Sequence, residues 1–377
     1  MRLTLISSHL GCGGAERIIS ILANGWSEQG HDVTLVSLYP FDAGTPFFPL
    51  HRAIRHRPLG LATGSSGPLE AVAANLGRLR GLRSEIVRSE PQAVISFSGR
   101  TNIRVLLASL GLGIPVVICE RTDPGHFEMS WQWRLLRGLT YPLADAVCCQ
   151  TPAALRWLGS LVRGRSYVVP NPVVVPAADR SRTASGLPAG RRLVAMGRLH
   201  PVKQFDLLID VFGGISRSFP DWHLLVLGDG PMRRELAGQI DRLHLGRQVH
   251  LLGLVRDPFP ILRAGDLFVM TSSREGFPGA LCEAMACGMP AVSFDCPSGP
   301  ACIIRDGVDG VLVPPNDGVS LSVALRRLMT DDAVRERLRA RAPEILDRYS
   351  LEKFLSAWSR ILDDLRLPCC LSPVLDG

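Results

Sequence analysis

Two glutamates, Glu275 and Glu283, stand with seven residues between them in SREGFPGALCEAMACG, directly after the apolar run DLFVMTS. The apolar run reads as a strand, and Gly276-Phe277-Pro278-Gly279 as the loop that opens a helix. Such a strand–loop–helix turn is an anion site. The N–H groups of the helix's first turn, from about Gly279 and Ala280 onward, lack intrahelical acceptors and sit at the positive end of the helix dipole. Glu283, expected in that first turn, can reach a ribose hydroxyl beside the phosphates, and Glu275 can reach hydroxyls of whatever the phosphates carry. The same acids would also suit a plain helix start, one complementing the dipole and the other solvated.

A second set of charges comes earlier in the chain. The run RRLVAMGRL ends in Arg198, followed by His200-Pro201-Val202-Lys203 and the amphipathic stretch QFDLLIDVFGGISRSF. This places two cations at a strand's carboxyl end, the edge where open α/β sheets bind ligands. Lys203 is one of two lysines among 42 basic residues, the other being Lys353. A compact, mobile point charge stands here in a chain that otherwise uses arginine.

The elements that must hold these residues follow from an alternation of short apolar runs and helical patterns along the whole chain, the mark of parallel βαβ units. Strands are predicted over 3–8, 32–38, 93–97, 116–120, 146–150 and 167–169, and again over 193–196, 223–227, 249–252, 267–271, 291–294 and 310–313. Between the two series lies a Pro-, Ser-, Ala- and Arg-rich stretch without periodicity, which reads as a linker. The expected organisation is a first Rossmann-like domain over 1–170, a linker over 171–190 and a second such domain over 191–350. Helices are predicted over 319–328, 333–346 and 351–365, and the tail LPCCLSPVLDG reads as a loosely held end.

Four runs, GRLHPVKQFDLLIDVF, VLGDGPMRREL, LLGLV and SREGFPGALCEAMACGMPAVSFD, resemble the carboxyl-terminal domain of retaining GT-B glycosyltransferases of the glycosyltransferase 4 family. In the first half, GGAERIISILANG resembles that family's glycine-rich opening. VVICERTDP followed by WRLLRGLTYPLADAVCCQT resembles the subgroup that extends glycans on polyprenyl-diphosphate carriers. The resemblance implies an α/β GT-B architecture, two Rossmann-like parallel-sheet domains facing a central cleft. It also implies that the last helix, 351–366, crosses back onto the first domain.

The activity so implied is hexosyl or N-acetylhexosaminyl transfer from a nucleotide sugar, expected to be UDP-linked, with retention of anomeric configuration. Charge then develops on both the leaving diphosphate and the sugar. No two aspartates stand two residues apart, so the D-x-D metal triplet is missing. Arg198 and Lys203 are expected to take the metal's place, aided by amides at Gly276–Ala280 and by Gly13 and Gly14 of the glycine-rich loop. No metal and no cofactor is called for. Glu275 is assigned to hydroxyls of the donor sugar. Leu254 and Val255 are candidates to flank the base, with core packing as the alternative for Val255. The motifs place no carboxylate as a back-face nucleophile; the resemblance implies same-face attack with the departing diphosphate as base.

Rival readings are a dinucleotide enzyme and a sugar-nucleotide epimerase or hydrolase of the same architecture. In Gly11-Cys12-Gly13-Gly14-Ala15-Glu16 the third glycine of G-x-G-x-x-G is replaced by Glu16, and the second strand ends without an acid for a ribose, which argues against the first. The second would consume a nucleotide sugar without an acceptor.

On the acceptor side, residues 51–90 hold seven arginines against three acids. Within them PLEAVAANLGRLRGLRSEIVRS reads as a helix with Leu69, Val72, Leu76, Leu79, Leu82 and Ile86 along one side, and with Arg78, Arg80 and Arg88 outside that stripe. An ordinary surface helix and a seat for an anionic membrane bearing a lipid-linked glycan both fit. Glu120 and Arg121, at a strand end, are further acceptor candidates. The net charge of +7 suits an anionic partner. Nucleic acid is a poor fit, because basic and aromatic residues do not interleave. Ten cysteines without a C-x-x-C spacing read as reduced thiols. No run reaches the roughly 18 apolar residues of a membrane span, and MRLTLISSHLGCGG reads as a strand entering a loop, so a cytoplasmic, peripherally membrane-bound protein is expected.

Overall fold

The computed structural model describes residues 1–39, 46–61, 68–121, 129–159, 161–176 and 186–366, with the side chains of 68–73 and 366 outside that description. Part of the expected linker (177–185), the tail from 367, Thr122 and Asp123, and the side chains of Leu69 and Val72 therefore lie outside it. The chain forms two compact units, Met1–Pro170 with Glu352–Gly377, and Asn171–Leu351.

The first unit holds a seven-stranded parallel sheet of β1 (Arg2–Ser7), β2 (Asp32–Ser37), β3 (Arg55–Pro58), β4 (Ala93–Phe97), β5 (Val116–Glu120), β6 (Ala146–Cys149) and β7 (Arg165–Val168), ordered β3-β2-β1-β4-β5-β6-β7. Its helices are α1 (Gly14–Glu28), α2 (Pro68–Arg88), α3 (Gly99–Ser109), α4 (Trp131–Thr140) and α5 (Pro152–Leu158). The central strands are buried along their length because helices cover the sheet, which is why they read as unbroken apolar runs. Strand β3 was not expected. Its sequence, RHRP, has no apolar residue to bury, and it pairs only with β2 at the sheet edge, where charge and proline are tolerated.

The second unit repeats the plan with β8 (Arg191–Met196), β9 (Trp222–Leu227), β10 (Val249–Gly253), β11 (Leu267–Met270), β12 (Ala291–Phe294) and β13 (Gly310–Val313), all parallel and ordered β10-β9-β8-β11-β12-β13. The helices are α6 (Phe205–Ser216), α7 (Arg233–Arg242), α8 (Phe259–Arg263), α9 (Gly279–Ala286), α10 (Pro300–Ile303), α11 (Gly318–Thr330), α12 (Asp332–Arg341) and α13 (Ile345–Arg348). The helix predicted over 333–346 ends at Arg341, because Pro343 cannot donate to an α-helical ladder and starts a 3-10 turn instead.

The last helix, α14 (Leu351–Arg366), belongs from Glu352 onward to the first unit. Trp358 is fully buried edge-to-face against Trp26 of α1, ring centroids 5.5 Å apart. Gly25 makes room for it: a Cβ there would stand 2.8 Å from Leu355 Cδ2. Tyr167 donates to Asp364 at 2.7 Å, tying the helix to β7.

Candidate active site

Arg198 and Glu275 follow β8 and β11, distant in sequence yet hydrogen-bonded neighbours at the point where the order of the second sheet reverses. Ligands bind open α/β sheets beyond the carboxyl ends of the strands at such a reversal. The loop after β8 is held by the loop after β9. Leu199 N–H donates to Asp229 O at 3.0 Å, and Met232 N–H to Leu199 O at 3.1 Å. Gly228, at φ +136°, lies so close that a Cβ would strike the Gly197 carbonyl. Arg198 rides exposed on this braced turn.

The 3-10 turn Pro201–Lys203 that follows is capped by the His200 ring, which accepts from Val202 N–H at 3.4 Å. Its backbone is fastened to the end of β11: Thr271 Oγ1 donates to Lys203 O at 2.8 Å and Ser273 N–H to Val202 O at 2.8 Å. The Lys203 stem crosses the face of Gly197, whose missing Cβ would meet Lys203 Cε at 3.2 Å. Lys203 Nζ then reaches Glu275 Oε1 at 2.5 Å, across 72 residues of sequence, and Ser272 Oγ donates to the same oxygen at 2.7 Å. The ammonium has three donors, so two remain for further acceptors.

Beyond Glu275 the chain turns through Gly276 to Pro278, the residue capping α9, and the first intrahelical bond runs from Cys282 N–H to Pro278 O at 3.2 Å. The amides of Gly279, Ala280 and Leu281 precede it and have no intrahelical acceptor. Glu283 is the fifth residue of α9, not part of its first turn as the sequence suggested. Helical side chains lean toward the N-terminus, and Glu283 Oε1 stands 4.0 Å from where a Cβ on Gly279 would be. The acid therefore still reaches the helix opening. Gly299, at φ +149°, presses on this loop: a Cβ there would meet Pro278 Cδ at 2.9 Å.

Two expected donor residues turn away. Phe277 is buried edge-to-face on Tyr349, centroids 5.2 Å apart, and Pro278 is buried beside it in sequence. Leu254, after β10, is 61% exposed, whereas Val255 packs half-buried on the core, the alternative kept open for it.

The remaining candidates belong to the first unit. Gly13 caps α1, and a Cβ on it would collide with the Glu16 carboxylate; Gly14 faces open space. Burial raises the Glu16 pKa, and His9 Nδ1 lies 3.3 Å from its Oε1. This pair was not foreseen, since nothing in GCGGAE says that the acid folds back over the glycine. Glu120 is 4% exposed, with Tyr141 donating its hydroxyl to Oε1, and burial raises its pKa. The Arg121 guanidinium lies 4.8 Å from the centre of the Phe97 ring, and burial lowers its pKa. Both side chains serve the interior of the unit rather than its surface.

The predicted basic patch is partly consumed by the fold. Arg88 pairs with Glu85 at 3.1 Å, and Arg57 with the same acid at 3.7 Å. Arg55 pairs with Asp32 at 2.7 Å, and Arg83 donates to the carbonyls of Ala108 and Leu110. Arg78 bonds Asn75 at 2.9 Å, and Arg80 is exposed.

Comparison with known proteins agrees with this geometry. The family described as "Glycosyl transferases group 1" matches residues 179–345, and "Glycosyltransferase Family 4" matches residues 12–175. An amylovoran biosynthesis glycosyltransferase of Erwinia amylovora is 27% identical over 367 residues, covering 96% of this chain and 99% of the relative. The α-1,4-N-acetyl-D-galactosaminyltransferase of Campylobacter jejuni, whose name specifies a GalNAc-bearing diNAcBac-PP-undecaprenol, is 24% identical over 97% of this chain and 99% of its own. An exopolysaccharide phosphotransferase of Streptomyces coelicolor is 29% identical over 94% of this chain, which spans only 39% of that relative.

Among solved structures, sucrose-phosphate synthase of Thermosynechococcus elongatus superposes with a TM-score of 0.81 at 19% identity, covering 97% of this chain and 98% of the other. Anabaena HepE in complex with UDP gives 0.76 at 20% identity, covering 97% and 100%. With both halves matched by glycosyltransferase families and both sheets built on the GT-B plan, the chain is a glycosyltransferase of GT-B fold, its first half similar to family 4 and its second to group 1.

Proposed function

We propose that the protein is a metal-independent, retaining glycosyltransferase that moves a sugar from a UDP-linked donor to a lipid-linked oligosaccharide or polysaccharide precursor, working peripherally at the cytoplasmic face of an anionic membrane. The observation that carries the reading is the convergence of Arg198, Lys203, Glu275 and the opening of α9 on the carboxyl ends of β8 and β11. These are two cations, three amides and an acid, the set a sugar diphosphate needs. Named relatives support the two substrates: HepE was solved with UDP, and the Campylobacter enzyme is named for an undecaprenol-linked acceptor.

In the reaction the bond between the anomeric carbon and the diphosphate oxygen breaks, and the acceptor oxygen bonds to that carbon. The acceptor's proton passes to the departing diphosphate. Lys203, keeping one donor on Glu275, offers its others to the growing charge, and Arg198 adds a second cation. Glu275 holds donor-sugar hydroxyls and, neutralised by Lys203, is a poor back-face nucleophile. Glu283 beside Gly279 is assigned to the ribose. The two cations are given the task that a metal would otherwise perform.

The test is a screen of UDP- and GDP-sugars with lipid-linked acceptors, with and without excess EDTA. Acceptor-dependent transfer that survives EDTA, with an anomer matching the donor's by NMR, is expected. Nucleotide-sugar consumption at the same rate without acceptor would replace the reading by a hydrolase or epimerase, and loss restored by magnesium or manganese would remove metal independence.

A further inference from the structure

Exposed large apolar side chains of the first unit gather on one helix face. On α4, Trp131, Leu135 and Leu139 follow at i, i+4 and i+8 and are 64%, 56% and 64% exposed; Leu143, in the turn that follows, is also exposed. The opposite face of the same helix already packs the unit, through Trp133, Leu136, Arg137 and Thr140. A helix that needs one apolar stripe to pack has two.

The charge around the stripe says what covers it. The helix sequence WQWRLLRGLT contains no acid, and exposed Arg134 borders the stripe. Arg100 and Arg104 of the adjoining α3 stack on the other, packed side of the helix, their guanidinium carbons 5.4 and 5.0 Å from the Trp133 ring centre. Arg137, buried on that packed side, stands 4.4 Å from the ring centre of Trp157, itself exposed on α5 next to exposed Arg156. Tryptophan and leucine bordered by an exposed arginine, on a helix without an acid, match the boundary between anionic headgroups and acyl chains, where apolar bodies sink and guanidinium groups meet phosphate. A second copy of the chain seated by a two-fold axis would bring this acid-free, arginine-bordered face against itself, in a protein of net charge +7.

We propose that the exposed face of α4 seats in the interface of an anionic phospholipid bilayer, Trp131, Leu135 and Leu139 inserting and exposed Arg134 at their border contacting phosphates. This rests on the membrane-linked acceptor proposed above but moves the seat away from α2, whose Arg83 and Arg88 are engaged within the unit. It assigns to α2 an electrostatic share at most, through Arg78 and Arg80. Among the described residues no helix is long and apolar enough to cross a membrane, so the contact is one of lying on the surface.

The experiment measures binding of the full chain to phosphatidylglycerol–phosphatidylcholine vesicles and to pure phosphatidylcholine vesicles. Trp131→Gln/Leu135→Gln/Leu139→Gln removes only exposed side chains, and it is expected to weaken binding to the anionic vesicles about tenfold or more, while UDP binding is unchanged. In wild type, phosphatidylglycerol with brominated chains should quench a tryptophan component that disappears in Trp131→Phe. Unchanged vesicle affinity in the triple variant, or a Trp131 that bromolipid does not quench, overturns the proposal. So does a triple variant that turns a wild-type oligomer into a monomer, or that loses a captured protein partner while keeping its vesicles. Vesicle binding that depends on the stripe in a protein that transfers no sugar would uphold the surface while removing the function proposed above.

Discussion

Lys203 and Glu275 form an ion pair of two largely buried side chains, and its role separates binding from chemistry. Replacing Lys203 or Arg198 with alanine should cut kcat by on the order of a hundredfold, because each charge strengthens its contact as the diphosphate departs. Steady-state kinetics of folded variants checks this, and wild-type kcat with only a raised KM would remove both from leaving-group stabilisation. Glu120 yields a prediction about pH. Burial raises its folded pKa above its unfolded one, so the acid is neutral in both states below the unfolded value of about 4.3 and costs nothing there. As pH rises from that value toward the folded pKa the unfolded chain releases the proton first, and stability falls; above the folded pKa the loss is constant. Glu120→Gln keeps an oxygen for the Tyr141 hydroxyl and should flatten this slope in urea unfolding measured from pH 4 upward, roughly the range in which such shifts act. Equal slopes for the two proteins would show that Glu120 stays ionised at no cost.

At the level of elements, the site depends on loops from three strands being locked together. Gly228 is the point of closest approach, with a positive φ and no room for a Cβ beside the Gly197 carbonyl. Gly228→Ala should therefore destabilise the protein by about 2 kcal/mol or more and reduce donor affinity with it, since the turn bearing Arg198 must move. Denaturant unfolding together with UDP calorimetry reads both, and a variant of wild-type stability would mean that the loops part without cost. Gly214→Ala, within α6, is the control, because nothing lies within 4 Å of the position a Cβ would take.

For the whole molecule, the chain builds most of one unit, then the other, and returns to finish the first. Helix α14 supplies Trp358 and Phe354, both buried, to a core begun by Trp26. Trp358→Ala should cost the first unit about 3–5 kcal/mol. Calorimetry should then show its transition lowered, with that of the second unit little changed. A single transition shifted as a whole would show instead that the two units unfold together.

What the sequence determined by itself was whatever is written in local periodicity and in short-range motifs. Twelve of the strands carry enough apolar residues to be read directly, and Arg198, Lys203 and Glu275 stand where the chain leaves a strand or enters a helix. Edge strand β3 was illegible because a strand with one neighbour and no buried face leaves no apolar signature. The tertiary structure alone decided the pairings. Periodicity cannot state that β8 and β11 lie side by side, and therefore cannot state that Lys203 bonds the very acid expected to hold sugar hydroxyls. Nor does a helical pattern reveal which of two apolar stripes is covered. Trp133 and Trp131 of α4 are the same residue type two positions apart, yet Trp133 is half-buried against the core, with arginines of α3 stacked on it, and Trp131 is left exposed. Burial is a property of what else arrives at a surface, and that is set by contacts distant in sequence.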